Sequence, residues 1–238
     1  MITPDPALRG VADLIRDRDR APRQHPGAFV LSIDGSVAVG KSTTAAMLAQ
    51  LLEAPPGALD TAVVSTDGFL FSNRVLDERG LTMRKGFPES YDRDALASFV
   101  DAVRDGRREL HVPVYSHDSY DVLPDPVVVP MPHVLVIEGL HTLGLADVVD
   151  LSIYVDADEA DIERWYTERF FELVAARAGF YAQFASMDDA TATDFAHAVW
   201  EEINSPNLHE FILPNRDRAD VVVRKGSDHT VADVILRD

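Results

Sequence analysis

Apolar residues fall along the chain in short continuous runs separated by stretches of helical spacing, the pattern of strands alternating with helices. Ala28 to Ile33 is the first run; Thr61 to Ser65 reads as a second buried strand, His133 to Ile137 as a third, Leu151 to Val155 as a fourth and Asp220 to Arg224 as the last. Between them, Thr43 to Leu52, Arg93 to Arg104, Ala157 to Ala178 and Asp188 to Ile203 read as helices, and Leu110 to Tyr115 as a short extended piece. Ahead of the first strand, Pro6 to Arg20 sets Leu8, Val11, Leu14 and Ile15 at helical spacing and runs into the breaker-rich segment Ala21 to Gly27. The alternation predicts an α/β fold, a doubly wound and mainly parallel sheet flanked by helices in three layers. Residues 1–27 are read as a short N-terminal helix and linker, and 28–238 as one domain.

The turn after the first strand carries the first chemistry. Gly35, Ser36, Val37, Ala38, Val39, Gly40, Lys41 and Ser42 spell G-x-x-x-x-G-K-[ST], followed by Thr43 at the start of a helical stretch. Glycines at this spacing let successive backbone N–H groups and the positive end of the helix face an anion. Lys41 then reaches the outer phosphates of ATP and the Ser42 hydroxyl can ligate Mg²⁺, which makes the fold a P-loop NTPase-type one. Open parallel sheets bind ligands at the carboxyl ends of their strands, where Asp67 and Glu138 stand. A carboxylate at 67 can orient or deprotonate a hydroxyl in line with the γ-phosphate, and one at 138 can act on Mg²⁺ directly or through water. The plain alternatives are a turn-starting acid at Asp67 and a strand-ending acid in a turn at Glu138, where the apolar run before it favours the functional role.

Composition narrows the partners. With 40 acidic against 22 basic residues the formal net charge is −18, which argues against nucleic acid and anionic membrane as partners and requires a local positive site for ATP. There is no cysteine, so disulfides, thiol catalysis and cysteine metal sites are excluded. No basic, then apolar, leader pattern and no apolar run of membrane length is present, so a soluble cytoplasmic protein is expected. Neither an N-K-x-D base-reading motif nor an L-S-G-G signature occurs, which leaves a small-molecule kinase among P-loop proteins.

Five blocks then carry a family resemblance: Asp34 to Thr44, Ser65 to Leu70, Lys85 to Asp92, Pro113 to His117 with Tyr120 and Asp121, and Ile137 to Leu140. In this order and spacing they resemble the bacterial type I pantothenate kinases, relatives of uridine kinase and phosphoribulokinase. Ser152 to Asp156, Trp165 and Tyr166 with Arg169 and Phe170, Glu202 to Asn204, and Ile212 to Pro214 with Arg216 extend the similarity from about Phe29 to the C-terminus. The resemblance implies a cytoplasmic, ATP- and Mg²⁺-dependent kinase acting on the primary hydroxyl of pantothenate, the first step of coenzyme A biosynthesis, and a homodimer. It implies Asp67, Lys41 and Arg169 as catalytic, Tyr115, His117, Tyr166 and Asn204 as lining the pantothenate pocket, and Lys225 and His229 as flanking adenine. A kinase of the same fold acting on a nucleoside or another hydroxylated metabolite is the alternative, and a nucleotide-binding regulatory protein a second one.

Several of these residues also admit plain roles. His117 can be a surface-loop histidine, Tyr166, Phe170 and Phe171 a core stripe, Arg169 a partner of Glu172 or another acid, and Asn204 the closing residue of a helix. The chain also departs from the family it resembles. Its N-terminal helical region is short, and Ala46 and Leu173 replace an arginine and a phenylalanine tied to feedback by coenzyme A. The stretch Leu140 to Asp147 is shortened, with His141 in place of asparagine, and the loop between Arg177 and Phe184 is trimmed. Loops of this kind exclude water and complete a site, so closure over the acceptor is expected to differ.

Overall fold

The computed structural model describes residues 3–145 and 148–237; the end of the shortened stretch, Ala146 and Asp147, lies outside the described residues. The lead-in turn Pro6–Leu8 is capped by the Asp5 carboxylate and feeds α1 (Arg9–Asp19). β1 (Phe29–Gly35) and α2 (Lys41–Glu53) follow, then β2 (Thr61–Ser65) with a 3₁₀ turn at Thr66–Phe69, α3 (Asn73–Glu78) and α4 (Arg93–Arg104). Two short hairpins come next: β3 (Glu109–Val112) pairs with β6 (Val127–Pro130), and inside it β4 (Tyr115–Ser116) pairs with β5 (Asp121–Val122). The chain continues through β7 (Val134–Glu138), β8 (Leu151–Asp156), α5 (Glu159–Ala175) and α6 (Asp189–Val199) to β9 (Val221–Lys225) and β10 (Val231–Leu236).

The main sheet runs β10-β9-β8-β1-β7-β2, all parallel except the β10–β9 pair. β1 lies between β8 and β7 and is buried along its whole length, as strands covered on both faces are. Successive side chains alternate between faces: Phe29, Leu31 and Ile33 join Val134 and Val136 in a cluster with α1 and α2, while Val30 joins Leu135 and Ile137 against Phe99, Val100 and Val103 of α4. Leu8, Val11 and Ile15 of the lead-in region sit in the first cluster with Leu48 and Leu52. Each such fully buried aliphatic chain contributes about 1.5–3 kcal/mol.

Three expectations are corrected here. β2 is an edge strand, not a buried one, and Val63 on it is 43% exposed. β9 is not the last strand, because β10 returns antiparallel beside it. The extended piece Leu110 to Tyr115 is two strands in two hairpins, and its pairing partners come from sequence beyond Asp118. No helix among the described residues is long and apolar enough to cross a membrane.

Candidate active site

The turn from β1 into α2 is shaped as its glycines require. Gly35 has φ +143, and a Cβ there would lie 2.5 Å from the Val155 carbonyl oxygen. Gly40, with φ +92, sets the left-handed step that opens α2 without a side-chain cap, so the helix N–H groups face outward. Lys41 is buried, and its Nζ donates to the Ser36 carbonyl oxygen at 2.7 Å. Burial lowers its pKa, against the pull of Glu138, Asp34 and Asp67, and Arg169 adds to the lowering. Ser42 and Thr43 are exposed at the mouth of the loop.

Three acids stand at the carboxyl ends of the three adjacent strands β1, β7 and β2. Asp34 is buried and its Oδ1 accepts from the Gly35 amide at 2.8 Å. Glu138 lies level with Ile33 on one side and Ser65 on the other. Burial raises its pKa, while Lys41 and the hydroxyls of Ser42 and Ser65 favour its ionised form. Asp67 sits in the 3₁₀ turn after β2, where the Ser65 hydroxyl accepts from its amide at 3.3 Å. Its carboxylate acts electrostatically on Lys41 and Glu138 on one side and on Lys85, Tyr91, Tyr115 and Tyr120 on the other. Among the described residues no group of three or more His, Asp and Glu side chains converges as a metal site. A cation at Ser42 and Glu138 would draw its remaining ligands from phosphate and water, the usual habit of Mg²⁺.

The second side of Asp67 is an aromatic pocket. Gly68 packs so tightly on the β3–β4 connection that a Cβ would lie 2.2 Å from the Pro113 carbonyl oxygen, which brings Tyr115 over the Asp67 turn. Lys85 places its ammonium 4.0 Å from the Tyr120 ring centre and 4.9 Å from that of Tyr115, donating to the Asn73 Oδ1 and the Tyr120 carbonyl oxygen. Burial brings its pKa down to about 8, although Asp121 and Asp67 pull upward. Tyr120 is pushed up to about 12 by burial, and Tyr115 higher still. Phe180 stacks on Tyr120 at 4.4 Å, held close by Gly179, where a Cβ would meet the Asp118 backbone at 2.4 Å. The trimmed loop after Arg177 therefore forms one wall.

Tyr166 reaches the same space, with Tyr181 and Tyr120 within electrostatic range and Asn204 beside its hydroxyl. The Asn204 Nδ2 is buried against that hydroxyl and has no other hydrogen-bond partner among the described residues. Asn204 does not close a helix: α6 runs on through two π-helical segments, Trp200–Asn204 and Leu208–Ile212. His117 is exposed at the rim, 5.3 Å from the Tyr115 ring. Arg169 is exposed, within electrostatic range of Lys41 and Tyr181, and makes no ion pair among the described residues, with Glu172 or otherwise. Lys225 ends β9 and His229 follows in the turn beyond it, on the same sheet edge. The buried Lys225 donates to the His229 carbonyl oxygen at 3.3 Å, and the His229 ring stacks on Trp165 at 3.8 Å. Lys85, Tyr91, Tyr120 and Tyr181 belong to this constellation but were not singled out from the sequence. The only signal for the first three was their presence in the family-like blocks.

A glycine-built anion cradle, a carboxylate edge and an adjoining aromatic pocket on a parallel sheet define a P-loop phosphotransferase. The model of the phosphoribulokinase/uridine kinase family matches residues 30–166. The pantothenate kinase of Parvibaculum lavamentivorans is 43% identical over 93% of this chain and 72% of its own, and that of Cutibacterium acnes 48% identical over 88% and 69%. D-glycerate 3-kinase from Cryptococcus neoformans superimposes with a TM-score of 0.74 over 98% of this chain and 99% of its own at 13% identity, a likeness of fold. The chain belongs to the phosphoribulokinase/uridine kinase family and, within it, to the bacterial pantothenate kinases.

Proposed function

We propose that the protein transfers the γ-phosphoryl group of ATP to the primary hydroxyl of pantothenate, the first step of coenzyme A biosynthesis, as a cytoplasmic homodimer. The observation that carries this reading is the place of Asp67, between the Lys41 cradle and the Lys85–tyrosine pocket. Support for the acceptor comes from the relatives named pantothenate kinase.

The backbone N–H groups from Ser36 to Thr43 and the Lys41 ammonium would hold the nucleotide phosphates, and Ser42 and Glu138 would hold Mg²⁺. Bound Mg²⁺ supplies charge neutralisation on the phosphate oxygens. The Lys41 ammonium is poorly solvated where it lies, so a phosphate oxygen is a better partner than the single Ser36 carbonyl. Asp67 orients the acceptor hydroxyl and takes its proton while the new O–P bond forms and the bond from the γ-phosphorus to the bridging oxygen breaks, leaving ADP. Arg169, free of ion pairs with the described residues, faces the charge on the transferred group.

Pantothenate offers a carboxylate, an amide and two hydroxyls. Lys85 is the cation in the pocket that matches the carboxylate, and the Asn204 amide, beside the Tyr166 hydroxyl, is the donor that matches a carbonyl oxygen. Tyr115 and Tyr166 stay protonated because burial raises their pKa values, so both remain hydroxyl donors, and His117 closes the rim. Lys225 and His229 flank the adenine. The test is phosphorus and proton NMR of the product: phosphate on the primary hydroxyl supports the reading, and phosphate elsewhere or none removes it.

A further inference from the structure

His141 and Asn207 come from distant parts of the chain and meet on one atom. The His141 Nε2 lies 2.9 Å from the Gly86 carbonyl oxygen, and the Asn207 Nδ2 donates to the same oxygen at 2.9 Å. Both lone pairs of that carbonyl are thereby used. The Gly86 amide donates to the Ser90 hydroxyl at 2.9 Å, and Gly86 itself has φ +92, a conformation open to glycine. A carbonyl only accepts, so the proton is on Nε2 of His141. Burial lowers the pKa of His141 and outweighs the upward pull of the Gly86 hydrogen bond and Glu89, with Lys41 and Arg93 adding to the lowering, which favours the neutral ring in that tautomer. Tyr91 and Phe211 pack edge-on against the imidazole at 5.9 and 6.3 Å and fix its plane.

The residue immediately before Gly86 is Lys85. Its ammonium is held at the far end by Asn73 and Tyr120, and the backbone that carries it is anchored one residue on, at Gly86, by Ser90 on the amide and by His141 and Asn207 on the carbonyl. His141 lies three residues beyond Glu138 at the end of β7, with φ +62, a left-handed conformation uncommon outside glycine. Leu140 lies between, its Cδ1 3.6 Å from where a Gly86 Cβ would be. One short segment therefore carries the acid beside the phosphate loop and the donor that anchors the acceptor-side cation.

We propose that His141 is a positioning residue for the acceptor: its Nε2–H clamps the Gly86 carbonyl and so sets the Lys85 ammonium in the pocket, with Asn207 as the second jaw. The proposal rests on the reading of that pocket given above.

The test compares His141→Gln, whose amide nitrogen can occupy the Nε2 position, with His141→Leu, which has no donor, using pantothenate and ATP as varied substrates. His141→Leu should raise the KM for pantothenate about tenfold, the worth of one hydrogen bond to a buried carbonyl, and leave the KM for ATP within about twofold. His141→Gln should restore most of the loss, and Asn207→Leu should show the same split as His141→Leu. In a Lys85→Met background, His141→Leu should raise the pantothenate KM no further. Equal losses in both KM values, no rescue by glutamine, or additive effects with Lys85→Met would overturn the proposal. An unsubstituted enzyme that does not phosphorylate pantothenate would instead defeat the acceptor reading, before any variant is made.

Discussion

Gly139 faces Thr66 with no room for a methyl group: a Cβ on Gly139 would lie 1.8 Å from the Thr66 Oγ1. The two residues come immediately after neighbouring strands, Gly139 following Glu138 of β7 and Thr66 preceding Asp67 beyond β2. The close approach sets the relation between the carboxylate beside the phosphate loop and the one beside the acceptor pocket. Gly139 also has φ +149, so an alanine there meets both a clash and an unfavourable backbone. Gly139→Ala should cost about 2 kcal/mol or more and lower Tm by about 4–8 °C in a thermal melt. It should also reduce kcat beyond what the melt explains at assay temperature. Unchanged kcat with unchanged Tm would show that the strand ends can move apart freely.

Asp67 divides binding from chemistry. Asp67→Asn keeps the shape of the side chain and removes its capacity to take a proton. ATP binding, followed by calorimetry or a fluorescent analogue, should be retained, while kcat falls by about 10² or more. Undiminished turnover would move the base role to another residue.

Lys85 gives the acceptor pocket a pH dependence of definite sign. Its pKa is lowered to about 8, first by burial, so the ammonium is present below that pH and lost above it. The kcat/KM for pantothenate should fall as pH rises through about 8, and Lys85→Met should abolish that limb and raise the KM roughly 10- to 100-fold at neutral pH. The stability effect runs the other way: the unfolded lysine binds its proton up to its ordinary pKa, so the fold gains stability as pH rises between about 8 and 10.5. A kcat/KM that stays level through pH 8 would detach Lys85 from acceptor binding.

The stacking of His229 on Trp165 offers an optical probe of the nucleotide side. His229→Ala should raise the KM for ATP about two- to tenfold, the range for one lost aromatic contact, with the pantothenate KM unaffected. ATP should change the tryptophan emission of the unsubstituted protein more than that of Trp165→Phe, in which only Trp200 emits. An ATP-induced signal that survives Trp165→Phe would place the nucleotide elsewhere.

What could be read from the sequence was local. The spacing of Gly35, Gly40, Lys41 and Ser42 dictates a turn that needs no distant partner, and the apolar runs ending at Ser65 and Ile137 deliver their acids to strand ends by position alone. The exposure of Val63 could not be read in this way, because β2 becomes an edge strand only through the sheet order, and the run Thr61 to Ser65 looks the same at an edge as in the centre. β10 escaped notice for a related reason: Asp233 interrupts its apolar residues, and only antiparallel pairing with β9 at the sheet edge makes them a strand. Lys85 stood in a recognised block, yet its partners Asn73 and Tyr120 are 12 and 35 residues away, and only loop packing joins them. Arg169 had an equally plain reading as a surface ion pair, and the structure leaves it without one among the described residues.

The most direct measurement is ADP release by the purified protein with Mg²⁺ and ATP, using pantothenate against a panel of nucleosides and other hydroxylated metabolites. Pantothenate-dependent turnover is expected, with a KM within the common range of about 1 μM to 1 mM, and little turnover with the rest of the panel. Turnover with a nucleoside or another metabolite and none with pantothenate would contradict it, leaving the phosphate cradle and Asp67 in place but taking the acceptor roles from Lys85, Tyr115, Tyr166 and Asn204.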